Sequence, residues 1–370
     1  MEVLILSCGT GGGHNAAGHA VEAELKRRGH SVTFFNPYDL RSRALSELID
    51  QAYIKMVQRH PKLFGCVYQL GNLVRKIPGK SPVYYANARM ADRLEAYIQE
   101  HPVDYIVMPH LYPAEMVTYL YRHHRAMPHT LFIGTDYTCI PFTEETECER
   151  YVIPAADLKK VYQKRGVPAE KLFPIGIPVS AVCAEPMSKK DARARLGLDA
   201  DKSYLLLAGG SMGTGAVQKA LKKLAAHYAD REDVELIVIC GSNEKLCRRL
   251  QKKYPKGVQA RSDTKKMPLY LKACDVILTK PGGLTSTEAA VSEIPIVHIE
   301  AIPGCETKNV RYFTKRGMSI SAEEQVDLGA ACDRLLGAAG EQMRARQRKY
   351  SNKHAAADIC DLMESVLKKE

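Results

Sequence analysis

The sequence predicts an α/β protein made of two Rossmann-like domains that face a cleft. A glycine-rich loop follows an apolar strand near residue 10, and a second such loop follows another apolar strand near residue 209. Between them, strands and helices alternate, and the order restarts after a proline-containing segment, as expected for two parallel sheets. A length of 370 residues also favours two domains over one.

The first half alternates strands with amphipathic helices. Residues 3–8 are predicted to form an apolar strand, and residues 16–29 a helix with Ala17, Val21 and Leu25 on one face and Gly29 at its end. Further strands are predicted over residues 31–36, 103–109 and 130–135. The expected amino-terminal domain spans residues 1–178.

The second half repeats this pattern after a polar, proline-containing linker over residues 175–190. Strands are predicted over residues 204–208, 234–240, 275–279 and 296–299, with helices between them. The expected carboxyl-terminal domain spans residues 187–340. Residues 341–370 are charged and helical, and we expect this tail to pack back across the domains.

Composition narrows the class of protein. Apolar runs are shorter than the ~20 residues of a membrane-spanning helix, and no secretory leader is seen, so a cytoplasmic protein is expected. The eleven scattered cysteines contain no C-x-x-C pair, which favours free thiols over disulfides or zinc. A net charge of +11 suggests a polyanionic partner, but no nucleic-acid-binding motif is present.

A basic amphipathic segment extends from residue 41 to residue 80, with eight Lys and Arg against two acidic residues. Interleaved aromatic and aliphatic side chains make it suited to an anionic lipid surface. An ordinary solvated helix pair is the alternative interpretation. The residues expected to contact the membrane are Arg41, Arg43, Lys55, Arg59, Phe64, Arg75 and Lys76.

The first glycine loop ends in a histidine. The sequence from Gly11 to Ala16 fits the G-x-G-x-x-A pattern of dinucleotide sites, but the next strand ends at Asn36 rather than at the acidic residue that such sites need. An imidazole at a helix amino terminus is favoured in its neutral form, which is the form of a general base. His14 is therefore the candidate base.

Two further loops in the second half are typical of phosphate sites. The residues Gly209, Gly210, Ser211 and Gly213 join a strand to a helix, as do Gly282, Gly283, Thr285 and Ser286. Backbone N–H groups and hydroxyls at helix amino termini bind anions. Glu288 follows within a turn and has the chemistry to accept hydrogen bonds from a ribose diol, so this half is predicted to bind a nucleotide diphosphate.

Six ordered motifs give the chain a resemblance to a known family. They are the Gly11–His14 loop, Thr135-Asp136, the Gly209–Gly213 loop, Cys240-Gly241-x-Asn243, the run from Lys280 to Glu288, and Pro303-Gly304-x-Glu306-x-x-Asn309. Together they resemble the family 28 glycosyltransferases. Within that family the chain is most similar to monogalactosyldiacylglycerol synthases and processive diacylglycerol glucosyltransferases.

The resemblance implies the GT-B fold and an inverting hexosyltransferase that moves glucose or galactose from a UDP-sugar to diacylglycerol. It implies that the first domain faces the acceptor and the membrane, on the inner face of the cell membrane. His14 is then the base and Asp136 a second candidate, and no cofactor or metal is implied beyond the UDP-sugar co-substrate. The implied acceptor loop consists of Gly11, Gly12, Gly13 and His110. The donor residues comprise the two phosphate loops together with Asn243, Thr264, Glu288, Glu306 and Asn309.

Two positions depart from the family pattern. Cys305 stands where family members usually carry a glutamine that reads sugar hydroxyls, and residues 261–264 lack the usual Gly-aromatic pair near uracil. The hexose, processivity and oligomeric state therefore stay open. Transfer of N-acetylglucosamine to a polyprenyl-linked acceptor is the alternative function, and an NAD-dependent oxidoreductase a distant one. Asp199-Ala200-Asp201 is interpreted as a turn, not as a metal-binding D-x-D motif.

Overall fold

The computed structural model describes residues 1–9, 12–59, 68–71, 73–75, 79–209, 215–241, 243–262, 265–323 and 327–368, with the side chains at 45 and 53–59 also outside it. It divides into two compact units. Unit 1 consists of Met1–Val179, Ile302–Cys305 and His354–Glu370. Unit 2 consists of Ser180–Ala301 and Glu306–Lys353.

Unit 1 contains a parallel six-stranded sheet with the order β2-β1-β3-β4-β5-β6. Its central strands β1 and β3 are almost wholly buried, because helices cover both faces of a parallel sheet. The strands are β1 Glu2–Leu6, β2 Ser31–Phe35, β3 Tyr105–Met108, β4 His129–Ile133, β5 Arg150–Val152 and β6 Leu172–Phe173.

Unit 2 contains a second parallel six-stranded sheet, with the order β12-β11-β10-β7-β8-β9. The apolar runs of β7, β8 and β10 form its centre. The strands are β7 Ser203–Ala208, β8 Val234–Ile239, β9 Val258–Arg261, β10 Val276–Thr279, β11 Ile296–His298 and β12 Ile320–Ser321.

Helices connect the strands of each sheet. In unit 1 they are α1 Gly12–Arg27, α2 Arg43–Arg59, α3 Pro82–Ala88, α4 Ala91–Glu100, α5 Leu111–Arg122 and α6 Lys159–Gln163. Those that follow are α7 Ala181–Ala184, α8 Lys189–Leu196, α9 Gly215–His227, α10 Glu244–Lys253, α11 Met267–Ala273, α12 Gly283–Val291, α13 Cys305–Lys315, α14 Leu328–Leu336 and α15 Ala338–Tyr350.

The last helix, α16 (Ala355–Leu367), completes the core of unit 1. Its buried residues Ile359, Cys360 and Met363 belong to the same apolar cluster as Val21 and Leu25 of α1. Arg28, just beyond α1, donates hydrogen bonds to Asp361 at 2.6 Å and to Glu364 at 3.2 Å. An element at the end of the chain thus supports the helix that begins beside His14.

The predicted fold class, two Rossmann-like domains, is confirmed by the two parallel sheets. The predicted strands are present, most of them one or two residues shorter than expected. The short strands β5, β6, β9 and β12 were not predicted. Within the described ranges, no helix has both the length and the apolar character needed to cross a bilayer.

Candidate active site

The carboxyl ends of three neighbouring strands of unit 1 bring together the residues around His14. β1 leads to α1 and His14, β3 leads to Pro109 and His110, and β4 leads to Thr135 and Asp136. Parallel strands end at the same edge of a sheet, and ligands of such sheets bind at that edge. The positions that the sequence places 95 and 121 residues apart are therefore in contact.

Hydrogen bonding fixes the tautomer of His14. Its Nδ1 lies 2.8 Å from the carbonyl oxygen of Pro109 and 2.9 Å from the hydroxyl oxygen of Thr135. A carbonyl can only accept, so Nδ1 carries the hydrogen and donates it. In the neutral ring the lone pair is then on Nε2, the atom that can take a proton from a substrate.

The surroundings keep His14 neutral. Burial lowers the pKa of its imidazole below the usual value, while the negative charge of Asp136 and the bond to Pro109 act in the opposite direction. The proton-accepting form is therefore present at and above neutral pH. Asp136 favours the imidazolium that proton transfer creates, which is how a neighbouring carboxylate assists a general base.

His110 supports this arrangement from behind. Its ring lies edge-on to that of His14, with centroids 4.5 Å apart, and its Nδ1 accepts a hydrogen bond from the backbone N–H of Tyr112 at 3.1 Å. His110 is thereby the amino-terminal cap of α5. Burial, and next the proximity of His14, hold the pKa of His110 well below its usual value. It is a neutral positioning residue.

A cavity opens beside His14. It is a small depression open to solvent, and its lining includes His14, Asp136, Phe132, Ile140 and Tyr162. Gly12 and Gly13 lie at the start of α1, and a methyl group on Gly12 would meet no atom within 4 Å.

In unit 2 the turn from Lys280 to Gly283 joins β10 to α12. Gly282 occupies the amino-terminal cap of α12 without a side-chain capping bond, which leaves backbone N–H groups available for an anion. Its φ of −67° would suit any residue, and a Cβ there would meet nothing within 4 Å. Neither backbone strain nor packing calls for glycine here, so the space beside this turn is open.

Ser286 does not face that turn. Its hydroxyl is fully buried and lies 3.0 Å from Nε2 of His298, whose Nδ1 lies 3.0 Å from the hydroxyl of Ser319. Burial lowers the pKa of His298 to about 3, so the ring is neutral. A neutral ring donates one hydrogen bond and accepts one, which matches its two serine partners. The expectation that the Ser286 hydroxyl contacts the donor is therefore corrected: Ser286 braces α12 from inside.

Asn309 likewise points inward. It is fully buried, and its Nδ2 donates to the carbonyl oxygen of Pro281 at 3.0 Å. Its expected role as a donor contact is corrected to that of a brace for the Lys280–Gly283 turn. Asn243 caps α10 by accepting the N–H of Leu246 at 2.9 Å, which is a structural task for its side-chain oxygen.

The acidic residues of unit 2 remain at the candidate donor surface. Glu288 lies in α12, partly buried, and burial raises the pKa of its carboxyl to about 7. Glu306 lies near the start of α13, with its carboxylate 3.6 Å from Nζ of Lys280. Thr285 is partly exposed in the first turn of α12, and Gly209 follows β7 directly. These positions fit the predicted donor site within unit 2.

One expected membrane residue is wrong. The side chain of Arg75 is only 3% exposed and forms an ion pair with Glu144, so it holds unit 1 together instead of meeting lipid. Arg41 and Arg43 are exposed, and so are Leu48, Leu70 and Leu73. Nine other predicted site or membrane residues lie outside the residues or side chains that the structure describes: Gly11, Lys55, Arg59, Phe64, Lys76, Gly210, Ser211, Gly213 and Thr264.

Asp199 and Asp201 form a turn, as expected. The backbone N–H of Asp201 donates to Oδ1 of Asp199 at 2.9 Å, and that of Asp199 donates to the hydroxyl of Tyr204 at 2.8 Å. Across the part of the chain that the structure describes, no three His, Cys, Asp or Glu side chains cluster to hold a metal ion.

The sequence analysis named Thr135 only as part of the Thr135-Asp136 motif, and it missed the orienting roles of the Pro109 carbonyl, Thr135 and His298. The Pro109 carbonyl, Thr135 and His298 each act on a residue far away in sequence. Only the position of Thr135 and His298 at strand ends signals a possible role, since the carboxyl ends of parallel strands are where ligands bind.

Two family models match the chain. Residues 14–179 match the monogalactosyldiacylglycerol (MGDG) synthase family, and residues 204–365 match the glycosyltransferase family 28 C-terminal domain. The processive diacylglycerol beta-glucosyltransferase of Bacillus licheniformis is 25% identical over 381 residues, covering 100% of this chain and 97% of the relative. The Bacillus mycoides protein of the same name is 26% identical, covering 95% and 89%.

Solved glycosyltransferase structures share the fold. MurG of Acinetobacter baumannii has a TM-score of 0.62 at 16% identity, over 98% of this chain and 99% of that one. The calicheamicin glycosyltransferase CalG4 has a TM-score of 0.64 at 15% identity, over 100% and 98%. These likenesses concern the fold alone.

The comparisons and the two sheets lead to one assignment. The matched ranges cover both halves of the chain, and they confirm the expectation of a UDP-sugar-dependent hexosyltransferase. The dinucleotide interpretation of the first glycine loop gains no support from them. The chain belongs to glycosyltransferase family 28, with the GT-B fold, and within it resembles the enzymes that glycosylate diacylglycerol.

Proposed function

We propose that the enzyme transfers a hexose from UDP-glucose or UDP-galactose to the free hydroxyl of diacylglycerol, with inversion at the anomeric carbon. The observation that carries this proposal is the geometry of His14. Its Nδ1–H is committed to a backbone carbonyl, which leaves the lone pair of the neutral ring on Nε2, and His14 lines a pocket in unit 1. The names of the curated relatives support diacylglycerol as the acceptor.

The reaction proposed is a single displacement. Nε2 of His14 takes the proton of the acceptor hydroxyl, the oxygen forms a bond to the anomeric carbon, and the bond from that carbon to the UDP oxygen breaks. Asp136 stabilises the imidazolium, and it remains the second candidate for the base itself. No general acid is needed, because the diphosphate takes the electron pair of the broken bond and departs as a stabilised anion.

The donor is proposed to bind unit 2. Backbone N–H groups in the first turn of α12, from Gly283 to Thr285, bind the diphosphate together with those of the Gly209–Gly213 loop. The N–H of Gly282 itself is donated to the carbonyl oxygen of Lys280 at 2.9 Å. Glu288 accepts hydrogen bonds from the ribose diol, and Glu306 faces the sugar. Helix dipoles and N–H groups can neutralise the departing UDP, so we propose no metal or cofactor for this step.

The proposed function is tested with a donor and acceptor panel. Purified protein is offered UDP-glucose, UDP-galactose and UDP-N-acetylglucosamine with diacylglycerol in mixed micelles, and products are identified by mass. We expect one hexose to be transferred well above the others. Transfer of N-acetylglucosamine to a polyprenyl-linked acceptor, with none to diacylglycerol, would establish the alternative function instead. Products that carry two or more added hexoses would reveal processivity.

The membrane partner is proposed to be the anionic inner face of the cell membrane. Arg41 and Arg43 are exposed at the start of the basic segment, next to the exposed apolar side chain of Leu48. Diacylglycerol resides in the bilayer, so the acceptor unit must reach the lipid surface. Juxtamembrane basic residues each contribute about 1 kcal/mol at such a surface.

Liposome flotation tests this surface. We expect the protein to float with vesicles containing anionic lipid at low salt and to detach at high salt. Replacing Arg41 and Arg43 by Gln removes two charges and should weaken binding about thirtyfold. The matched control replaces Lys252 and Lys253 of α10, which are exposed on unit 2. Equal losses in the two double variants would show that only net charge matters.

A further inference from the structure

The short segment from Tyr68 to Arg75 is held in place within unit 1 by two contacts. Arg75 forms its ion pair with Glu144, and a methyl group on Gly71 would lie 3.4–3.5 Å from the ring of Phe142, so the two already pack closely. Arg75 is also linked to Gly71 by a backbone hydrogen bond of 3.0 Å. The described residues of this segment therefore pack against the loop that follows β4, while the side chains of Leu70 and Leu73 stay exposed.

Tyr68, the first described residue of this segment, packs on the Pro303-Gly304 turn. A methyl group on Gly304 would lie 2.9 Å from Cγ and 3.1 Å from both Cδ atoms of the Tyr68 ring. Gly304 has a φ of +128°, which few residues other than glycine adopt. Glycine is thus needed at 304 both for the turn and for the approach of this ring.

The phenol end of Tyr68 lies in the electrostatic field of the reaction centre. Burial raises the pKa of the phenol, and Cys305 and Asp136 add to the rise. The pKa of Tyr162, which lines the His14 cavity, is raised by burial and also responds to both Asp136 and Tyr68. The charge of Asp136 thus reaches the phenol of Tyr68, while the ring itself packs on Gly304, next to Cys305.

The hexose must also come to this place. Its anomeric carbon has to approach within about 3–3.5 Å of the acceptor oxygen that His14 deprotonates, so its ring hydroxyls lie close to Asp136. The adjoining side chain of Cys305 offers only a weak S–H donor, which cannot orient a sugar hydroxyl well. A tyrosine hydroxyl both donates and accepts.

We propose that the hydroxyl of Tyr68 hydrogen-bonds one hydroxyl of the transferred hexose and makes Tyr68 a specificity-determining residue for the donor. This inference rests on the proposed function and deepens it, because it assigns sugar recognition to a residue of unit 1. It also gives the basic segment a second task, at the reaction centre as well as at the membrane.

The test removes the Tyr68 hydroxyl and each sugar hydroxyl, singly and together, by combining Tyr68→Phe with deoxy donors as in a double-mutant cycle. Initial rates are measured with the preferred UDP-hexose and with its 2-, 3-, 4- and 6-deoxy analogues. We expect Tyr68→Phe to lower kcat/KM about tenfold for the parent donor and to change it little for the one analogue that lacks the partner hydroxyl. The affinity for UDP, measured by calorimetry, should stay unchanged.

Tyr85→Phe is the matched control, since Tyr85 is 61% exposed on α3 and loses the same hydroxyl. Melting temperatures of both variants check that folding is intact. An equal loss with every donor, or no loss with any, would overturn the assignment. Failure of the proposed function looks different, because the wild-type protein would then transfer no hexose from any UDP-sugar.

Discussion

Replacing His14 by Ala is expected to lower kcat by about 10²–10⁴-fold, the usual contribution of a general base. The affinity for UDP should not change, because the proposed donor loops belong to unit 2. The alanine also removes the Nδ1–H bond to Pro109, so His14→Gln serves as a second variant that keeps a side chain with a hydrogen-bond donor. Both are measured by steady-state kinetics and by calorimetry with UDP.

His19→Ala is the control for this experiment. His19 lies on the same helix, is 58% exposed and pairs with Glu22, away from Pro109 and Thr135. Its loss should leave kcat intact. A His14→Ala variant with kcat within about threefold of wild type would transfer the role of base to Asp136.

The pH profile gives an independent reading of His14. Because burial lowers the pKa of His14 below 6.5, the activity of the wild type should fall only on the acid side and stay level around neutrality. The sign follows from the mechanism: protonation at low pH fills the Nε2 lone pair. In His14→Gln this acid limb should disappear.

Replacing Glu288 by Ala is expected to raise the KM for the donor by about 10- to 150-fold, with a smaller change in kcat. A hydrogen bond to a charged group contributes about 1.5–3 kcal/mol to binding, and the Glu288 carboxylate is proposed to accept such bonds from the ribose. Glu288→Gln should lie between wild type and Ala, because the amide oxygen still accepts. An unchanged donor KM in both variants would remove Glu288 from the ribose site.

The same carboxyl predicts a pH dependence of donor binding. Its pKa of about 7 exceeds that of an unfolded glutamate, so the folded, ligand-free enzyme holds a proton there that the unfolded chain loses. This contribution to stability is present at low pH and is lost as the pH rises through 7. Donor binding needs the carboxylate and should therefore tighten from pH 6 to pH 8, a trend absent in Glu288→Gln.

The central elements could be predicted from sequence because their signals are local. β1, β3 and β7 are apolar runs beside glycine loops, and α1 carries its buried face at helical spacing. β6 and β12 have two residues each, too few for any periodicity, and β9 ends in the exposed side chain of Arg261. These strands lie at the edges of the two sheets and are defined by pairing with a neighbouring strand, not by a sequence pattern of their own.

In the candidate site too, residues with a local sequence signal could be predicted, and residues whose orientation depends on distant partners could not. His14 and Glu288 could be predicted as site residues because a residue type and its place at a strand end or helix start already point to chemistry. Ser286 and Asn309 were misjudged because their inward orientation depends on partners, His298 and Pro281, that sequence does not bring together. Ser286 lies four residues before buried Ala290, and that spacing was the available signal.

The placement of α16 has a consequence for how the protein is made. Most of unit 1 precedes unit 2 in the sequence, yet the helix that covers Val21 and Leu25 is synthesised only after all of unit 2. Domains commonly fold in the order of their synthesis. Here the order of completion is reversed: the sheet of unit 2 can close first, and His14, the proposed base, reaches its final setting only once α16 has been made.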